Sequence, residues 1–222
     1  MRFATNTPLD KLLDGGIEDD VITNIYGPAG SGKTNIAIAA AINSTKKVVY
    51  IDTEGSFSLE RFEQLGGNER TMKNMLLINV HSWKEQSEAI ASLEKVAERE
   101  KIGLVVIDSL VALYRLELTD KNYKTVNKQL ATQYSVLSRI ARKYKIPVLV
   151  TNQVYGRGDE IELTSRAIAK YWSKALVELR KLEKENVRLA ILRKHRSLPE
   201  GRKIEFEITQ DGLKALGKFS LF

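Results

Sequence analysis

The 222-residue sequence contains no cysteine and only two histidines, His81 and His195, which lie far apart. That excludes a disulfide framework, a thiolate metal site, a cysteine nucleophile and a histidine-rich metal centre. No apolar run approaches the roughly 20 residues that a membrane span needs. Met1 to Leu13 also lacks the apolar stretch of a signal peptide. A cytoplasmic protein with no membrane partner is expected. Only four prolines occur, and no Pro/Ser-rich linker, internal repeat or low-complexity tract divides the chain. One α/β domain over residues 1–222 is therefore expected. Acidic residues are in deficit, 28 Asp and Glu against 35 Lys and Arg, a formal charge of +7. The imbalance favours a polyanionic partner without naming one.

What the sequence does contain centres on Gly27-Pro28-Ala29-Gly30-Ser31-Gly32-Lys33-Thr34, set between the apolar run Val21 to Tyr26 and the helical run Asn35 to Ile42. This is a P-loop in strand–loop–helix context. Its backbone N–H groups and the positive end of the helix dipole converge on a polyphosphate. Gly27, Gly30 and Gly32 permit a tight turn and close backbone approach. Lys33 is expected to reach the β- and γ-phosphates and Thr34 to place its hydroxyl on Mg²⁺. The cofactors this implies are ATP or GTP with Mg²⁺.

The rest of the chain alternates. Leu9, Leu12 and Leu13 before Gly15-Gly16 form a short amphipathic turn. Val48 to Asp52, Leu76 to Val80, Gly103 to Asp108 and Val148 to Thr151 read as buried strands, the third apolar until its last residue. Ser58 to Leu65, Lys84 to Glu100 and Asn122 to Tyr144 read as helices, the last with an inner stripe of Val126, Leu130, Tyr134, Leu137 and Ile140. Beyond residue 164, Ala175 to Leu182, Val187 to Arg193 and Lys203 to Ile208 read as strands of a largely antiparallel extension. The fold class is α/β, a mostly parallel sheet flanked by helices, with ligands at the carboxyl ends of its strands.

Asp108 closes its apolar run and suits a carboxylate holding Mg²⁺ opposite Thr34. Ser109 follows it, so the group that orients an attacking water must come from elsewhere. Glu54, just past the end of another strand, is the candidate; a solvated turn glutamate fits the same pattern equally well.

Five segments carry a resemblance: Leu9 to Leu13 with Gly15-Gly16, Gly27 to Thr34, Ile51 to Glu54, Val106 to Leu110 and Val150 to Val154. In order and spacing they are similar to the RecA/RadA recombinase superfamily of ATPases over nearly the whole chain. The resemblance implies a RecA-like P-loop ATPase core in which Glu54 polarises the attacking water. It also implies that Arg61 packs on the adenine of ATP and that Gln153 senses the γ-phosphate and links it to DNA-binding loops. The first such loop matches Tyr114-Arg115 through Lys121 to Lys124, giving Arg115, Lys121 and Lys124 as DNA contacts. The second matches Val154 to Arg166, giving Tyr155, Arg157 and Arg166. Solvated surface loops have the same composition.

Departures narrow the resemblance. With Met1 as its start no helical DNA-binding domain is expected, Phe3 to Asn6 does not supply the Phe-x-x-Ala of filament tethers, and the second loop is short. The pattern resembles the archaeal RadB paralogues. That implies weak ATP hydrolysis, binding of single-stranded or branched DNA, and assistance to recombination rather than strand exchange. A recombinase or a Holliday-junction-type nuclease is then a candidate partner, and a homo-oligomer is possible on this pattern. The alternatives are a nucleotide-gated protein adaptor or a ring-forming RecA-like ATPase. Finally, Arg193-Lys194-His195-Arg196 precedes Pro199-Glu200-Gly201, which matches the family's cap over the nucleotide. The basic run is open to three roles: neutralising ATP of a neighbouring subunit, binding DNA, or, ranked first, forming a solvated strand end.

Overall fold

Parallel register is what builds the candidate site, because it brings the last residues of separate strands to one edge. The computed structural model describes residues 1–155, 162–163 and 166–220. In chain order the first elements are β1 (Arg2–Phe3), α1 (Leu9–Leu12), β2 (Ile17–Glu18), β3 (Ile22–Tyr26), α2 (Lys33–Ile42), β4 (Lys47–Asp52) and α3 (Leu59–Gln64). There follow α4 (Glu69–Lys73), β5 (Met75–Asn79), α5 (Trp83–Arg99), β6 (Ile102–Asp108), α6 (Ala112–Glu117), α7 (Tyr123–Tyr144) and β7 (Val148–Asn152). The short pair β8 (Val154–Tyr155) and β9 (Glu162–Leu163) precedes α8 (Arg166–Trp172), β10 (Ala175–Lys181), β11 (Val187–Lys194), β12 (Lys203–Thr209) and β13 (Gly212–Ser220).

Nine strands form one sheet in the order β13-β12-β11-β10-β3-β7-β6-β4-β5. From β10 to β5 every pairing is parallel; β11, β12 and β13 add antiparallel strands. The expected extension is thus present, but β10 itself belongs to the parallel part. Helix α8 returns the chain to the opposite edge before β10 begins, so β10 can only run alongside β3 in the same direction.

The apolar runs are buried on both faces, with period two. On β6, Val105 and Ile107 pack with α5 and α7, whereas Leu104 and Val106 pack with α1, α2 and α3. Helix α7 contributes the expected Val126, Leu130, Tyr134, Leu137 and Ile140, all buried. Ser58 caps α3 by accepting the Arg61 N–H, a contact worth about 1 kcal/mol.

Sequence periodicity misses several short elements. Helix α4 is set by a capping box between Asn68 and Thr71 and buries nothing, so it leaves no apolar signature. The segment read as the start of a DNA loop is helix α6. Its Tyr114 is 4% exposed, packs edge-on against Trp83 at 6.0 Å, and donates to Asn127 Oδ1 at 2.6 Å. Tyr114 is a core residue. Strand β13 is absent from the expectation because Gly212 and Gly217 interrupt its pattern.

Candidate active site

The strands end in register. Tyr26 lies beside Asn152, and Asp52 beside Asp108. The residues that follow therefore emerge on one edge: the P-loop after Tyr26, Gln153 after Asn152, Ser109 after Asp108, and Thr53-Glu54 after Asp52.

The loop from Gly27 to Gly32 turns through left-handed backbone at Gly30 (φ 70°) and Gly32 (φ 97°), conformations that favour glycine. At Gly27 the constraint is space, since a Cβ would lie 2.4 Å from Leu179 O and 2.8 Å from Ser31 Oγ. Gly32 caps α2 without a side chain, and the first turn of the helix holds no acid. The N–H groups of that turn are left for an anion. Lys33 Nζ donates to Gly27 O and Pro28 O, both at 2.9 Å, so the ammonium sits against the loop it belongs to. Burial pulls its pKa down, and the charges of Glu54 and Asp108 push it back up. Ser31 Oγ is buried without a hydrogen-bond partner among the described residues. An orphaned hydroxyl, an uncapped helix start and a lysine fit a phosphate chain.

Asp108 is 3% exposed. Tyr50 OH donates to its Oδ2 at 2.8 Å, Thr151 Oγ1 donates to its Oδ1, and Thr34 also bonds to it. Burial raises its pKa, and these three hydrogen bonds oppose the rise. Thr34 and Asp108 are therefore in contact, as a shared cation would require. Among the described residues no group of three His, Cys, Asp or Glu could hold a metal ion by itself. A cation here would need phosphate oxygens as further ligands, which is the habit of Mg²⁺.

Glu54 is held from two sides. Ser109 Oγ donates to its Oε1 at 2.6 Å, and Gln153 Nε2 lies 3.2 Å from Oε1 and 3.0 Å from Oε2. Arg115 Nη1 on α6 donates to Gln153 Oε1 at 3.3 Å. A continuous polar chain therefore runs from the carboxylate to the helix that follows β6. Asp52, which sequence reasoning passed over, folds the turn that presents Glu54. Its carboxylate accepts the N–H groups of Glu54, Ser56 and Phe57. The signal was legible as Asp-x-x-Gly, the composition of an Asx-turn.

Two more unanticipated groups come from the hairpin between β10 and β11. Lys181 Nζ lies 3.2 Å from where a Gly30 Cβ would stand, and Arg188 Nε donates to Gly30 O at 3.1 Å. Both are cations over the P-loop, placed there by sheet order alone. Arg61 points its guanidinium at Asn35 Oδ1, Gln64 Oε1 and Gln210 O, bridging α2, α3 and the β12–β13 turn. Burial lowers its pKa, and Asp211 opposes that.

Of the candidate DNA contacts, the side chains of Arg115, Lys121 and Lys124 are among the described residues. Lys121 and Lys124 are exposed at the start of α7, while Arg115 is bound to Gln153. Arg157 and the side chains of Tyr155 and Arg166 lie outside the described residues. The basic run 193–196 ends β11 with Arg193 and Arg196 exposed, as expected of a solvated strand end, but its side chains are also engaged by other groups. Arg193 pairs with the buried Glu178 at 2.5 Å, and Lys194 donates to Lys170 O and to Ser173 O. The His195 side chain is 1% exposed, and Arg196 bonds Glu18 at 2.8 Å and Asp20 at 3.0 Å. Since β11 runs antiparallel to β10, this run leads the chain away from its own P-loop, and the turn holding Pro199-Glu200-Gly201 lies on that far side. That turn does not cap it.

A sheet that gathers a P-loop, a buried aspartate and a strand-end glutamate on one edge places the chain among the RecA-like P-loop proteins, a nucleotide-binding ATPase fold. A family model described as Rad51 matches residues 2–216. The chain is 46% identical, over 95% of its length and 99% of the relative's, to the DNA repair and recombination protein RadB of Methanococcus maripaludis strain C7. It is 37% identical to the protein of that name in Methanobrevibacter smithii, over 96% of this chain and 95% of the other. A solved structure titled "Crystal structure of the RadB recombinase" superimposes with a TM-score of 0.84 at 38% identity, covering 97% of this chain and all of that one. The chain belongs to the Rad51 family, in its RadB branch.

Proposed function

We propose that residues 1–222 act as one Mg-ATP-binding core that assists homologous recombination and DNA repair, binding DNA and hydrolysing ATP slowly without performing strand exchange. The reading rests on one observation, the convergence of Lys33, Thr34, Asp108, Glu54 and Gln153 on a single sheet edge, in a chain whose relatives are named as DNA repair and recombination proteins. The P-loop N–H groups and Lys33 bind the phosphates, with Lys181 and Arg188 adding positive charge from the neighbouring hairpin. Thr34 and Asp108 hold Mg²⁺, which neutralises phosphate charge. Arg61 borders the base. Glu54 orients the water and accepts its proton.

Slow turnover has a physical basis in the same geometry. Both Glu54 oxygens lie within hydrogen-bonding distance of Gln153, and Oε1 also accepts from Ser109. A carboxylate so engaged is a poorer base until Gln153 turns away. A γ-phosphate that attracts the Gln153 amide would release Glu54 and pull on Arg115, coupling nucleotide state to α6 and the Lys121 to Lys124 segment. Glu54→Gln is expected to keep Mg-ATP binding while hydrolysis falls by about 10²-fold or more. Single-turnover hydrolysis alongside equilibrium nucleotide binding measures both, and unchanged hydrolysis would reject Glu54 as the base.

A further inference from the structure

A cleft of about 1120 Å³ opens at the N-terminal edge of the parallel strands, opposite the P-loop. Its walls are the start of β3, the second half of α7, the end of α8 and Arg196, two residues beyond β11. Four cations come from α7 and its left-handed cap: Arg139, Arg142, Lys143 and Lys145. Lys174 and Arg196 come from other elements, and Asp20 is an acid on the same wall.

Not all of this charge is available. Arg139 and Lys143 are paired with Glu94, and Lys143 also with Glu98. Arg196 is held by Glu18 and Asp20, and Lys145 lies 3.8 Å from Asp20. Arg142 and Lys174 are exposed and have no acidic partner among the described residues. Lys170 and Lys174 add to the burial that lowers the pKa of Lys194, a sign that positive charge is crowded here. Beside them Tyr171 is 71% exposed and stands edge-to-face on Trp172 at 5.3 Å. Complementing the dipole at the end of α7 accounts for Arg142 and Lys143. It accounts neither for Lys174, which comes from another element, nor for an exposed aromatic ring among the cations.

We propose that this cleft binds the phosphodiester backbone of a single nucleic-acid strand, with Arg142 and Lys174 contacting phosphates and Tyr171 offering a face on which a base stacks. Unpaired cations beside an exposed ring are the equipment that sequence-tolerant strand binding uses. The inference rests on the DNA-binding reading above and gives it a second location. The Lys121 to Lys124 segment starts α7 and the cleft lies at its other end, about 27 Å away at 1.5 Å per residue. The two places can therefore be altered independently.

The test is anisotropy of a labelled single-stranded oligonucleotide titrated across a salt series. Wild type is compared with Arg142→Gln/Lys174→Gln, Tyr171→Ala and Lys121→Gln/Lys124→Gln, with melting and Mg-ATP binding followed for each. The cleft double variant is expected to bind the strand about tenfold more weakly and to lose about 1.4 from the slope of log K against log salt. Its melting and ATP binding should be unchanged. Tyr171→Ala should weaken strand binding by about fivefold or more. Wild-type affinity and slope in the cleft variants would overturn the proposal, as would a loss confined to the Lys121/Lys124 variant. So would cleft variants that keep strand binding but lose ATP-dependent self-association. A wild-type chain that binds no strand overturns the DNA-binding reading as well, whereas binding that survives the cleft changes overturns this inference alone.

Discussion

The two edges of the sheet use basic residues in opposite ways. At the carboxyl edge, Lys33 and Arg188 are held by backbone carbonyls of the P-loop, and Lys181 stands over Gly30. At the amino edge, Arg196 is paired with Glu18 and Asp20 and Lys194 is taken up by carbonyls at the end of α8, while between the two edges Arg193 is paired with Glu178. Carbonyls leave a cation's full charge in place for a phosphate, whereas carboxylates neutralise it. A basic run in sequence thus reports charge but not its availability. The tetrad 193–196, a basic run at the end of a strand, is engaged by other groups of the fold at each of its residues.

Three measurements would sharpen or break that contrast. The largest effect is expected at the carboxyl edge, where Lys33→Ala should weaken Mg-ATP binding about 10²-fold while leaving the melting temperature of the nucleotide-free protein nearly unchanged. Equal ATP affinity in the variant would mean that the lysine is only a structural brace for the loop. At the end of β11 the pattern should invert. Arg193→Ala leaves the 4% exposed Glu178 with Arg180 as its remaining partner. Because Arg193 is itself partly exposed and Arg180 stays, the cost should be about 1–2 kcal/mol in chemical denaturation, with ATP affinity unaffected. A fall in ATP affinity without loss of stability would return this run to the nucleotide.

The smallest effect concerns His195. Burial lowers its pKa, with Arg2, Arg196 and Arg202 acting in the same direction and Glu18 opposing, while its Nδ1 accepts the N–H groups of Ser197 and Leu198. With the folded pKa below the ordinary value of about 6.5, the unfolded chain takes up more protons between the two. The stability from the neutral ring is therefore full above about pH 6.5 and is lost as pH falls through the folded pKa. Melting curves from pH 7.5 to 5.5 should show wild type losing more stability than His195→Asn. Parallel curves would remove the histidine from the pH response.

Much of this was open to reading without coordinates. The alternation of apolar runs and amphipathic stretches gave the parallel strands and the long helices, because burial on both faces and a 3.6-residue stripe each leave a pattern in the residues themselves. Gly27 to Thr34, with its strand before and helix after, was legible for the same local reason. Helices α4 and α6, strand β13 and the partners of residues 193–196 were not, since short elements and ion pairs leave no periodic trace. What the sequence by itself determined was the P-loop with Lys33 and the apolar run that ends in Asp108; Glu54 was one of two equal readings, and Gln153 came only through the family resemblance. What only the tertiary structure decided was which charges meet. Sheet order put Lys181 and Arg188 over the P-loop, and the antiparallel run of β11 carried residues 193–196 away from it. Electrostatic availability depends on neighbours brought together through space, and spacing along the chain does not encode it.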